Sequence, residues 1–133
     1  MIKTSLNKKK LLILGGNASH KKVVEAAKKM GVYTIVTDYL SPLESSAKQS
    51  ADEYWMISYG DIETVTQKCR ESHVDGVLAC YHESALIPYY RICKELNFPC
   101  YGDLAQFEKL TNKRLFKQMC EDFGIATIPE YTL

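Results

Sequence analysis

The sequence is short of most features that would assign it at a glance. Among its 133 residues proline is scarce (4) and glycine modest (7), which excludes collagen-like and linker-type chains. No apolar run is longer than six residues, against the eighteen or so that a bilayer span needs. The first ten residues, Met1 to Lys10, hold no apolar signal core, which points to a cytoplasmic protein with no membrane partner. Lys and Arg number 17 against 16 Asp and Glu, a net charge of +1. There is thus no basic excess of the kind a nucleic-acid partner would require. The run Lys8-Lys9-Lys10 reads as a solvated gatekeeper before a buried strand. The five cysteines, Cys69, Cys80, Cys93, Cys100 and Cys120, are odd in number and form no C-x-x-C pair. That indicates neither a disulfide framework nor a zinc site. Only Cys80 has a histidine nearby, His82, and the reading for each thiol is a small buried hydrophobe.

What is present is the material of one globular domain, with 46% hydrophobic and 25% charged residues. Leu11-Leu12-Ile13-Leu14 is a continuous apolar run ending in Gly15-Gly16 and reads as a strand buried on both faces. Asn17 is placed to cap a helix over His20–Met30, with Val23, Val24, Ala26, Ala27 and Met30 as its apolar stripe. Gly31 is placed to end that helix in a left-handed turn. Tyr33–Thr37 is a β-branched second strand, and the intervening chain is long enough for a crossover that makes the two parallel. A short helical piece around Ser45–Ser50, a third strand Tyr54–Ile57 and a helix Ile62–Ser72 capped by Asp61 follow. Val74–Cys80 is the fourth strand. Ser84–Leu96 reads as a helix that tolerates Pro88 only near its first turn. Phe98–Tyr101 reads as a fifth strand, and Asp103 caps a helix to Lys109. Thr111 or Asn112 caps the last helix, which Gly124 closes.

Such alternation predicts an α/β fold: a three-layer α/β/α sandwich around an open, mainly parallel sheet of about five strands, Rossmann-like. Ligands of such sheets bind beyond the carboxyl ends of the strands. The informative residues are therefore Gly15-Gly16-Asn17, Asp38-Tyr39, Ser58-Tyr59-Gly60, Tyr81-His82-Glu83 and Gly102-Asp103. Gly15-Gly16 with Asp38 suggests a dinucleotide site, but the second and third glycine positions of that fingerprint hold Asn17 and His20. Asn17 would crowd a pyrophosphate, and His20 would block close packing of helix on strand. A phosphoacceptor receiver would need acidic residues after the first and third strands, where glycines with asparagine and Ser58-Tyr59 stand. His82-Glu83 starts like H-E-x-x-H, but Leu86 stands where the second histidine belongs. Asn17 as cap or ligand contact, and Asp38 as turn former or ligand contact, remain open alternatives.

Four segments together resemble the pre-ATP-grasp domain, the N-terminal domain of ATP-grasp ligases similar to the carbamoyl-phosphate synthase large chain and biotin carboxylase. They are Leu11–Asn17, the stretch Ser46–Tyr54 around Ala51-Asp52-Glu53, Val74-Asp75-Gly76-Val77, and Thr111–Lys117 followed by Phe123–Tyr131. The resemblance spans nearly the whole chain. It implies a pre-ATP-grasp domain over residues 1–125 and the start of a further lobe over residues 126–133, so that the chain is expected to be a fragment of a longer ligase.

By that resemblance Lys113 contacts the nucleotide phosphates, with Asn112 standing where an Asp is common; the alternative for Lys113 is a solvated surface lysine. Gly15, Gly16, Asn17, Asp38, His82 and Glu83 would face the acceptor substrate. The implied chemistry is activation of a carboxylate as an acyl phosphate and its capture by an amine or similar nucleophile. ATP and Mg²⁺ would serve the full-length enzyme, with neither held tightly by this chain and no metal or catalytic residue within it. Its partners would be the small carboxylate and amine substrates, the remaining lobes of the same chain and, in relatives of this kind, a second copy in a homodimer. A stand-alone small-ligand or nucleotide-binding module without catalysis is the alternative.

Overall fold

The computed structural model describes residues 5–129 and Tyr131. Glu130, Thr132 and Leu133, which with Tyr131 read as the opening of a further strand, lie outside the described residues. Four strands, β1 (Lys10–Leu14), β2 (Tyr33–Thr37), β3 (Glu53–Trp55) and β4 (Gly76–Ala79), form one parallel sheet in the order β3-β2-β1-β4. Leu12 lies opposite Ile35 and Val77, and Ile13 opposite Val36 and Leu78.

Because successive side chains of a strand point to opposite faces, the apolar run of β1 serves two cores. Leu12 and Leu14 join Ile35, Trp55, Val65, Tyr89 and Ile92 on one face, whereas Ile13 meets Val24, Val36 and Ala47 on the other. Helices α1 (Ala18–Lys29) and α2 (Ser46–Ser50) therefore cover one face. Helices α3 (Ile62–Glu71), α4 (Leu86–Leu96) and α5 (Leu104–Thr111) cover the other, giving three layers.

The local signals act as expected at most boundaries. Asn17 accepts from the N–H groups of Ser19 and His20, Asp61 from Thr64, and Gly31 turns the chain after α1 at φ 78°. Pro88 is the third residue of α4, where its missing N–H has no helical acceptor to lose, and a 3₁₀ turn (Glu83–Ala85) precedes it. Asn112, not Thr111, caps the last helix, α6 (Lys113–Asp122); Thr111 ends α5 and donates its hydroxyl to the Phe107 carbonyl.

The expected fifth strand is not formed, so the sheet has four strands. Pro99 has no N–H to give a ladder, and the Phe98 N–H is spent on the Cys93 carbonyl behind the left-handed Asn97. The Tyr101 N–H goes to the Tyr89 hydroxyl, while the Tyr101 ring stacks on Tyr89 at 4.7 Å and meets Phe107 edge-on at 5.6 Å. Side chains, rather than a backbone ladder, moor this segment. The third and fourth strands are also shorter than expected, β3 ending at Trp55 and β4 covering only Gly76–Ala79; at the start of β4 the Asp75 carboxylate, rather than a backbone carbonyl, accepts the Lys10 N–H.

Helix α6 packs chiefly on α5. Its neighbourhood leaves Leu115, Phe116, Phe123, Ile125 and Ile128 largely exposed.

Candidate functional site at the carboxyl edge of the sheet

The strand order places a topological switch beside β1: the chain runs outward from β1 to β2 and β3, then returns to β4 on the other side. Helix α1 leaves β1 toward one face and α4 follows β4 on the opposite face. The loops after β1 and β4 therefore diverge, which opens the crevice where ligands of such sheets bind. Asn17 and His82 sit on these two loops, and Asn17 Nδ2 lies 2.7 Å from His82 Nε2. Tyr81, just before, adopts a left-handed φ of 66°, a conformation costing about 1–2 kcal/mol for a residue with a Cβ.

Beneath this bond lies His20, fully buried. Its Nδ1 is 2.6 Å from Asn17 Oδ1 and its Nε2 2.8 Å from the Cys80 carbonyl, and its ring meets His82 edge-on at 4.9 Å. Two acceptors thus flank the ring, whereas burial pushes the imidazole below its ordinary value, aided by His82 and opposed by the Cys80 carbonyl and Asp38. His20 packs against the loop after β1. It takes the space over Gly15, where an added Cβ would stand 2.7 Å from its Cε1. Gly15 itself has φ 113°, a region that favours glycine.

The second cluster joins the loop after β2 to α2. Lys48 and Asp38 form a buried ion pair at 2.8 Å, their side chains 0% and 4% exposed. Lys48 Nζ also donates to the Asp38 carbonyl at 2.9 Å and to the Leu40 carbonyl, and Asp38 Oδ1 accepts from the Leu40 N–H. Ser45 caps α2 and donates to the Gly16 carbonyl at 2.6 Å. A Cβ on Gly16 would come within 2.5 Å of both Asp38 Oδ2 and Ser45 Oγ. The two glycines of the loop after β1 are thus accounted for by packing against the protein's own side chains.

Five of the six expected rim residues, Gly15, Gly16, Asn17, Asp38 and His82, are brought together in this way. Glu83 stands next to His82 at the start of the 3₁₀ turn, exposed and outside the network. Lys113 is the exposed first residue of α6 and is not among the joined side chains. The sequence reading missed Lys48, Ser45 and the buried role of His20. A lysine in a five-residue helix leaves no periodic trace, and only the small neighbours Ser45, Ser46 and Ala47 hint that α2 approaches the sheet closely.

The donor set decides what the rim can hold. Among the described residues no three His, Cys, Asp or Glu side chains are grouped as a metal would need, and Asp38 is already neutralised by Lys48. The rim therefore does not fit Mg²⁺. Nor does the glycine loop fit as a phosphate cradle, because His20, Asp38 and Ser45 fill the space that its glycines leave. The thiols are free, and burial pushes Cys69 and Cys93 up to about 12, far from the thiolate a nucleophile needs. A groove of about 710 Å³ between α3 and α4 is lined by none of the rim residues.

No protein-family model and no curated protein matches the sequence. Solved structures do match its fold, and these structural neighbours are ATP-grasp ligases. The N5-carboxyaminoimidazole ribonucleotide synthetase of Thermotoga maritima is 27% identical with a TM-score of 0.70, over 92% of this chain and 32% of that one. The phosphoribosylglycinamide synthetase of Anaerococcus prevotii is 24% identical with a TM-score of 0.71, over 91% and 30%. The biotin carboxylase domain of Hydrogenobacter thermophilus 2-oxoglutarate carboxylase, solved with MgADP, ADP and bicarbonate, is 23% identical with a TM-score of 0.69, over 91% and 28%. The chain thus spans about a third of the length of the structures that it matches.

Proposed function

We propose that this chain is the N-terminal domain of an ATP-grasp ligase and supplies one wall of its acceptor-substrate pocket. The observation that carries this reading is the rim: side chains from the loops after β1, β2 and β4 converge at the switch point of a fold whose solved counterparts are ligases about three times as long. The reaction is activation of a carboxylate, or of bicarbonate, as an acyl phosphate, followed by attack of an amine or similar nucleophile, in the manner of the carbamoyl-phosphate synthase large chain. ATP and Mg²⁺ are held mainly by the remaining lobes, since the described residues of this chain offer neither a phosphate cradle nor a metal site. Mg²⁺ there would neutralise the charge developing on the transferred phosphoryl group. Lys113, at the first turn of α6, adds a cation at a helix end whose dipole already favours anions and so reaches the nucleotide from this side. The exposed apolar residues around α6 are the surface against which the next lobe folds.

Calorimetry and steady-state kinetics test this division of labour. The 133-residue chain alone binds ATP no more tightly than millimolar; micromolar binding would favour a stand-alone nucleotide-binding module instead. In the full-length protein, His82→Ala raises the KM of the acceptor substrate and leaves that of ATP unchanged. Equal effects on both would remove the rim from the acceptor pocket.

A further inference from the structure

The hydrogen bonds of Asn17 fix more than a helix end. Its Oδ1 accepts from the backbone N–H groups of Ser19 at 3.0 Å and His20 at 3.2 Å, so the amide cannot be turned over without losing the cap. Its Nδ2 is therefore the atom that faces His82 Nε2 at 2.7 Å, and it can only donate. A neutral imidazole accepting at Nε2 carries its proton on Nδ1. Nδ1 of His82 makes no hydrogen bond with the described residues. No buried side-chain nitrogen or oxygen lacks a partner among them, so this atom is open to solvent at the rim.

We propose that Asn17 is a positioning residue that holds His82 as the neutral Nδ1–H tautomer, a single directed donor for an oxyanion, carboxylate or phosphate, of the acceptor substrate. The tautomer follows from the hydrogen bonds alone; that its donor serves a substrate rests on the reading of the rim as part of an acceptor pocket. Recognition of this kind needs no charge on the ring. Placing a second proton on Nε2 would set N–H against NH₂ and forfeit the bond to Asn17. The left-handed Tyr81 and the edge-on ring of His20 keep the imidazole over Asn17, so the donor direction is set before a ligand arrives.

The test is long-range ¹H–¹⁵N correlation on the labelled chain at about pH 8, above the ordinary imidazole range. The sequence has three histidines, and His73→Gln and His20→Gln assign them. The expected result is the Nδ1–H pattern at His82 and the Nε2–H pattern at the exposed His73. Asn17→Ser keeps a capping oxygen but has no amide donor, and His82 then reverts to Nε2–H. An Nε2–H pattern at His82 in the wild-type chain overturns the proposal whether or not the variant folds, and leaves the ligase reading standing.

Sodium acetate and inorganic phosphate are then titrated separately while the His82 nitrogens are followed. A shift at His82 Nδ1 that is absent at His73, and ~10-fold weaker in Asn17→Ser, supports the assignment. Whichever anion gives the shift names the substrate group, carboxylate or phosphate. A wild-type His82 with the expected tautomer that responds to neither anion overturns the substrate-facing half.

Discussion

Replacing Lys48 by methionine offers the sharpest test of how the rim is held. The substitution keeps most of the side-chain volume and removes a charge that is 0% exposed. Asp38 then loses its ion pair at 2.8 Å and keeps only the Leu40 N–H, while the carbonyls of Asp38 and Leu40 each lose a donor. Removing one partner of a buried pair costs about 3–5 kcal/mol, because the remaining charge stays desolvated and unpaired. That is a large share of the ~5–15 kcal/mol by which domains of this size are stable. Urea unfolding followed by circular dichroism measures it. The double variant Asp38→Asn/Lys48→Met removes both charges and should recover at least ~1–2 kcal/mol of the loss. A single-variant cost below ~1 kcal/mol, or a double-variant cost equal to the sum of the two singles, would refute the view that this pair ties the loop after β2 to α2.

Three further outcomes follow from the same geometry. Gly16→Ala, whose Cβ would stand 2.5 Å from two pinned oxygens, should destabilise the chain by ~1–3 kcal/mol in urea unfolding. A cost under a few tenths would show that Asp38 and Ser45 move freely. Because His20 in the folded state lies below its ordinary value, its contribution to stability is present above about pH 6.5 and is lost as the pH falls below that value. The stability advantage of wild type over His20→Gln should therefore shrink between about pH 7.5 and pH 5, by ~1.4 kcal/mol for each tenfold loss of proton affinity, and a pH-independent difference would contradict it. Lys113→Ala in the full-length protein should raise the KM of ATP about tenfold, as loss of one charge-assisted contact does, with the acceptor KM unchanged.

Much of the architecture is legible in the order of residues. The run Leu11–Leu14 declares a strand buried on both faces, and Asn17 and Gly31 bracket the helix that follows it. Phe98–Tyr101 misleads because an apolar run shows where a segment is buried and not what its N–H groups bond to; only Pro99 hints that no ladder forms. At the rim, the positions of Gly15, Gly16, Asn17, Asp38 and His82 just beyond strand ends are legible from the apolar runs that precede them. The strand order, which sets Asn17 against His82 across 65 residues of sequence, is a tertiary fact with no local signal. The same holds for Lys48, a surface residue by type that is buried because Asp38 lies opposite.

The central place of β1 also bears on how the nascent chain avoids sticking to its neighbours. Once β1, β2 and β3 have been synthesised, β1 presents an apolar edge, Leu11–Leu14, with no partner until β4 emerges, β3 ending at Trp55 and β4 starting only at Gly76. An open edge of that kind invites pairing with other chains, and charge just before it discourages such pairing. Lys8, Lys9 and Lys10 stand there. When β4 arrives it brings Asp75 immediately ahead of it, which ion-pairs with Lys9 at 3.2 Å and accepts the Lys10 N–H at 2.8 Å. The residue that leads in the covering strand engages the charges that had guarded its place.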